Sequence, residues 1–155
     1  MTTNVLSSSK RDLQRVDGAT LVRLASYLVP LGRLLFAFIF VETVPARFSP
    51  QTIANAVNAG MPLASVLVPA SGILTLLGGL SVLLGYRARI GALLLVLFLI
   101  PATLLMHAFW TVPDPVMARI QTVMFMKNLS MLGAALIIIY FGAGPFSIDA
   151  RHKRA

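Results

Sequence analysis

Apolar residues along this chain fall into four long runs separated by short polar breaks. The runs cover about residues 24–44, 62–86, 88–110 and 120–143. A helix needs about 20 apolar residues to cross the hydrocarbon core of a bilayer, and each run reaches that length. Alternation of polar and apolar residues at period two is missing from them, so a β-barrel is not expected. The pattern predicts an all-α integral membrane protein with four spans. Short connections make sequential helices antiparallel neighbours, so the spans form a four-helix bundle. The break "RFSPQTIANAVNAGMP" is the long one. Ser49 is placed to cap a helix whose first residue is Pro50. Ile53, Ala54 and Val57 share a face, and Gly60 closes the segment. A short interfacial helix between the first two spans follows.

Composition agrees with the pattern. The chain has 155 residues, 57% hydrophobic and 12% charged, with a mean hydropathy of +0.85. Soluble domains keep roughly a quarter of their residues charged. The net charge of +8 and pI near 11.2 would suit a nucleic-acid partner, but the basic residues flank apolar runs. That placement suits an anionic leaflet, and nucleic acid is not expected as a partner. Zero cysteines exclude disulfides, thiolate metal sites and CxxC redox chemistry within this chain.

Charge also orients the spans. Lys10, Arg11, Arg15 and Arg23 precede the first run, Arg87 and Arg89 stand in the second break, and Arg151, Lys153 and Arg154 end the chain. The other two breaks carry Arg47 and Arg119. The positive-inside rule puts both termini in the cytoplasm of a bacterial cell with an inner membrane. The organisation expected is a polar cytoplasmic tail over 1–22, a membrane domain over 23–146 and a basic cytoplasmic tail over 147–155. Val44-Pro45-Ala46 has signal-peptidase spacing, but the preceding run is too long and contains Arg33 and Glu42, so the first helix is read as retained. Arg33, Arg87 and Arg89 are expected to anchor the bundle at the membrane surface.

Polar residues within the spans carry the candidate chemistry. Counting depth from the ends of the runs places Glu42, His107, Trp110, Gln121, Lys127 and Asn128 in one slab, the outer half of the membrane. Thr103, His107 and Trp110 form one helical stripe; Gln121, Met124 and Asn128 form another, with Lys127 at its flank. A charge in hydrocarbon costs at least about 2.5 kcal/mol even on lenient scales. Three readings of Lys127 stand: snorkelling to the interface, a structural ion pair with Glu42, or a ligand or proton role. Because Asn128 cannot snorkel and must be bonded, Lys127 beside it is expected to face the bundle or its outer cavity, within reach of Glu42 or His107. His107 and His152 lie at opposite ends, so no metal site and no bis-His haem is expected. Ser71, Thr75 and Gly79 recur every four residues and, with Gly78 and Gly133, are read as packing positions. Pro101 frees the Leu97 carbonyl and is expected to kink the third helix, opening a cavity below His107.

The stretches "LGRLLFAFIF", "LLGGLSVLLGYRARIGALLL", "PATLLMHAFW" and "MFMKNLSMLGAALIIIYFGAGPFSID" together resemble the DoxX family of small bacterial membrane proteins over residues 28–149. Members often carry a glutamate four residues before the second glycine of the Gly-Gly pair; here Thr75 stands there, and the acid is Glu42 on the first helix. The resemblance implies a quinone- or thiol-linked redox partner, or the membrane anchor of an oxidoreductase complex, with a redox protein or a second copy as partner. A quinone head group would then bond to His107, Lys127 or Asn128 and stack on Trp110; haem is not favoured. Two other readings remain: a non-catalytic membrane assembly or chaperone-like protein, and a small-solute transporter protomer.

Overall fold

The computed structural model describes residues 18–152. Residues 18–25 are helical and pass through a turn at Ser26-Tyr27 into α1, Leu28–Glu42. A 3₁₀ turn, Pro45–Phe48, leads to the short α2, Pro50–Asn58. The remaining spans are α3, Ala64–Leu84, α4, Ala88–Met106, and α5, Pro115–Phe141. A second 3₁₀ turn, Phe109–Thr111, lies between α4 and α5, and α6, Ile148–His152, closes the described chain. Among the described residues, four helical stretches are long and apolar enough to cross a membrane, the first of them running over Gly18–Phe48 and including α1. The protein is an all-α membrane bundle. Expectations for the tail over residues 1–17 fall outside the described residues.

The spans pack in chain order. α3 is the central helix, with α1 and α4 against it, and α5 packs on α4. The Gly78-Gly79 pair shows how α3 takes two neighbours. A Cβ on Gly78 would meet the Gly91 carbonyl and Leu95 of α4 at 2.9 Å, whereas one on Gly79 would meet Val41 of α1 at 2.9 Å. Small residues let backbones approach where lipid supplies no hydrophobic drive between helices. Ala37, Phe40, Val82, Ala92, Leu95, Leu99 and Ala135 form the core. Gly133 is elsewhere: it is exposed, with open space where a Cβ would stand, so it makes no helix contact here.

Local signals set the short elements. The Ser49 hydroxyl accepts a hydrogen bond from the Thr52 N–H at 3.2 Å, Pro50 opens α2, and Gly60 follows it at φ +78°. The apolar face of α2 is rotated from the one expected. Ala56 is buried, with Ile53 and Met61 packed beside it against Ala64 and Val68, while Val57 is 57% exposed. Asp114 caps α5, accepting from the Met117 N–H at 2.7 Å. Capping therefore starts α5 five residues before the apolar run begins, and this shifts every depth counted along it.

Candidate functional site

The polar residues assigned to one slab assemble only in part: His107, Trp110 and Gln121 come together, and Glu42 and Lys127 do not join them. His107 ends α4, and its Nδ1 lies 2.7 Å from the side-chain oxygen of Gln121 on α5. Beside them Phe109, Trp110 and Phe125 form an edge-to-face cluster, with ring centroids 5.0–5.9 Å apart. Asn128 is buried at 7% exposure. Glu42 and Lys127 are both exposed. Lys127 stands 12 residues into α5, about 18 Å from its start, and so lies well below His107 and Gln121. The expectation that Lys127 faces the bundle is corrected. Its neighbour Asn128 takes the buried side, and the 100° between consecutive residues turns Lys127 outward.

Arg33 is also corrected. It is no surface anchor but a buried side chain, at 5% exposure, whose Nη2 donates to the Phe146 carbonyl at 2.7 Å. The chain after α5 folds back onto the α3–α4 turn. Asp149 accepts from the N–H groups of Arg87 and Ala88 at 2.8 and 3.1 Å, and its own N–H donates to the Gly85 carbonyl at 2.9 Å. Arg87 and Arg89 are exposed, and Arg89 Nη2 donates to the Tyr140 carbonyl at 3.1 Å.

At the opposite end the structure builds a site around Arg47. This residue leaves the 3₁₀ turn after α1 and points back into the bundle. Its Nη1 donates to the Ser71 hydroxyl at 3.1 Å, and its guanidinium carbon lies 4.4 Å above the centre of the Phe98 ring. Ser71 is seven residues inside α3 and Phe98 eight residues inside α4, so the charge sits about 10–12 Å below the ends of those helices. Gly72 permits this approach, because a Cβ there would meet the Phe48 ring at 3.1 Å and the Arg47 Cβ at 3.2 Å. The Ser71 hydroxyl itself donates to the Val68 carbonyl at 2.7 Å, and the Thr75 hydroxyl donates to the Ser71 and Gly72 carbonyls. Arg47 Nε is buried and has no hydrogen-bond partner.

The guanidinium lies in a groove of about 660 Å³ between α2, α3 and α4. Thr52, Asn55 and Ser71 give it a polar end; Leu67, Leu74, Leu97, Phe98 and Leu105 make the rest apolar. Pro101 lines it, with Leu97 one turn earlier. A proline-bearing turn therefore does border a cavity, but toward α2 and α3. Sequence reasoning treated Arg47 as a loop charge. The available signal was its place just after an apolar run, five residues from Glu42, the glutamate that run contains.

A family model described as the SURF4 family matches residues 20–155. The chain belongs to the SURF4 family. This overturns the resemblance to DoxX proteins. The motifs that suggested it have general causes in small membrane bundles: a glycine pair wherever one helix takes two neighbours, and arginines in a short turn wherever charge fixes orientation. Among similar proteins is a Surfeit locus protein 4 homolog of Drosophila melanogaster, 28% identical over 124 residues, covering 79% of this chain and 40% of that protein. The Schizosaccharomyces pombe homolog is 29% identical over 129 residues, covering 83% of this chain and 38% of that one. The inner membrane protein YqjF of Escherichia coli is 26% identical over 121 residues, 78% of this chain and 88% of its own length. The chain thus spans about two fifths of the Surfeit relatives and most of the bacterial one. No solved structure matches it.

Within this SURF4-family bundle the Arg47 groove combines apolar volume with an incompletely bonded cation. No carboxylate, histidine or cysteine lines it. Its residues can bind and orient; the hydroxyls of Thr52 and Ser71 have no carboxylate, histidine or lysine beside them in the lining to act as general base.

Proposed function

We propose that this chain is a non-catalytic, multi-pass membrane protein that holds a membrane-embedded ligand in the groove between α2, α3 and α4. The observation that carries this reading is the Arg47 guanidinium, turned inward over Phe98 at the floor of an apolar cleft. Arginine near a helix end ordinarily snorkels toward the interface. One drawn inward against that preference marks a place where binding compensates the cost. The assembly-type reading fits such a site. The redox reading gains nothing from the geometry, since the groups it needs are dispersed over different faces and depths. The bacterial inner membrane is the proposed location, supported by the E. coli relative, with both termini on the cytoplasmic side by charge bias.

The test uses the single tryptophan, Trp110. In a Trp110→Phe background, Leu97→Trp places a reporter in the groove and Leu93→Trp places one outside it, both at exposed positions. The purified chain is titrated in detergent with phospholipid brominated on its acyl chains. A ligand site quenches the groove reporter at low lipid fraction, ahead of the outside reporter. Identical quenching of the two at all fractions overturns the reading.

A further inference from the structure

We infer that the ligand of the Arg47 groove is an anionic phospholipid drawn from the surrounding leaflet, with its phosphodiester on the guanidinium and an acyl chain along Leu74 and Leu97. This inference rests on the proposed reading of the groove as a ligand site. Three observations carry it.

The first is incomplete bonding. One Arg47 nitrogen donates to Ser71, the guanidinium face is taken by Phe98, and Nε donates to nothing. A guanidinium presents five donors in a planar fork that suits two oxygens of one phosphate. No carboxylate of the described residues lines the groove to meet its charge. A charge held below the helix ends without an anion is costly, and headgroups drawn toward buried arginines are one way membranes meet that cost.

The second is access. Leu67, Leu97 and Leu105 line the groove and are 47%, 63% and 65% exposed. The opening therefore faces what surrounds the bundle, and a ligand enters sideways from lipid. The third is polarity along the groove. Ser71 and Phe98, which hold the guanidinium, lie seven and eight residues in from the outer ends of α3 and α4; Leu67 and Leu105 are nearer those ends, and Leu74 and Leu97 lie deeper. Hydrocarbon therefore flanks the cation, and a phosphodiester seated on it leaves its acyl chains to the deeper leucines. The lining includes no carboxylate to meet the ammonium of a zwitterionic lipid, so the complementary headgroup carries net negative charge.

The closing experiment titrates the Leu97→Trp reporter with two brominated probes, phosphatidylglycerol and phosphatidylcholine. Phosphatidylglycerol is expected to bind about tenfold more tightly at low salt, with the difference shrinking as salt rises. Arg47→Gln abolishes that preference and leaves phosphatidylcholine quenching in place; Arg47→Lys keeps part of it, because one compact ammonium replaces the fork. The wild-type comparison needs no altered Arg47, so a misfolded variant does not decide the matter. Equal affinity for the two lipids, or a preference that survives in Arg47→Gln, overturns the anionic-lipid assignment while groove quenching itself persists. Displacement by millimolar inorganic phosphate, or by palmitate in preference to phosphatidylglycerol, overturns it too, in favour of a free anion or a fatty acid.

Discussion

Arg33 Nη2 donates to the backbone carbonyl of Phe146 at 2.7 Å, joining the first span to the chain beyond the last one across 113 residues. Phe146 sits at φ +52°, a conformation bulky residues rarely adopt, and its ring stacks on Tyr27 at 4.8 Å. The stacking and the arginine hydrogen bond hold a turn that local preference opposes. Hydrogen bonds to charged groups contribute about 1.5–3 kcal/mol. Arg33→Met should therefore loosen the fold-back. Amide exchange at Asp149, whose N–H bonds to Gly85, should rise at least about tenfold. An unchanged rate would show that the rest of the segment docks without the arginine.

Asp149 is the other half of that attachment. Its carboxylate caps the start of α4 through the Arg87 and Ala88 N–H groups, from 61 or 62 residues away. Loss of a cap costs about 0.5–2 kcal/mol. Asp149→Ala should lower the thermal midpoint in detergent, and Asp149→Asn, which keeps an acceptor, should lower it less. Equal losses would mean the negative charge matters more than the hydrogen bonds.

Gly78 and Gly133 separate two roles that glycine plays. Gly78 faces the Gly91 carbonyl at contact distance; Gly133 faces open space. Gly78→Ala should cost about 1–3 kcal/mol by overpacking. Gly133→Ala should be neutral or stabilise by about 0.5–1 kcal/mol, because it removes a flexible residue from a helix interior. Thermal melts of the two variants check this. A comparable loss in both would place an unseen contact at Gly133.

These glycines show what was legible in the sequence. Span number, the Ser49 cap and the Gly78-Gly79 approach each follow from local chemistry, which the sequence displays directly. Helix rotation does not. Lys127 and Asn128 are adjacent, and only tertiary packing decides which of them is buried. Depth failed for a local reason: Asp114 and Pro115 start α5 before the apolar run does. Arg47 was missed because a side chain leaving a loop can point either way, and what turns it inward, Ser71 and Phe98, lies 24 and 51 residues further along.

The proposed orientation gives a separate test. With both termini cytoplasmic, a reporter joined after Ala155 should behave as a cytoplasmic protein, and one inserted in the 111–114 connection should not. The reverse pattern would invert the bundle and place the Arg47 groove in the cytoplasmic leaflet.

Lys127 supplies the last prediction. It is exposed near the middle of α5, 12 residues from Pro115 and 14 from Phe141, so about 18 and 21 Å from either end. Snorkelling over such distances is incomplete, and a charge at the bilayer centre costs about 2.5–3.5 kcal/mol on insertion scales. Glu42 is exposed at the end of α1, a helix that packs on α3 and is not a principal neighbour of α5. A stabilising pair between the two within one chain is therefore not expected. Lys127→Met should leave the thermal midpoint of the monomeric bundle unchanged or raise it, and Glu42→Gln should add to it without coupling beyond about 0.5 kcal/mol. A double-mutant cycle on thermal stability, run in detergent at a protein concentration where the chain is monomeric, makes the measurement. Loss of stability in Lys127→Met, or coupling above that limit, would mean the lysine has a partner that the isolated bundle does not reveal. Repeating the cycle at higher concentration would then separate a second copy, whose effect grows with concentration, from a ligand already bound.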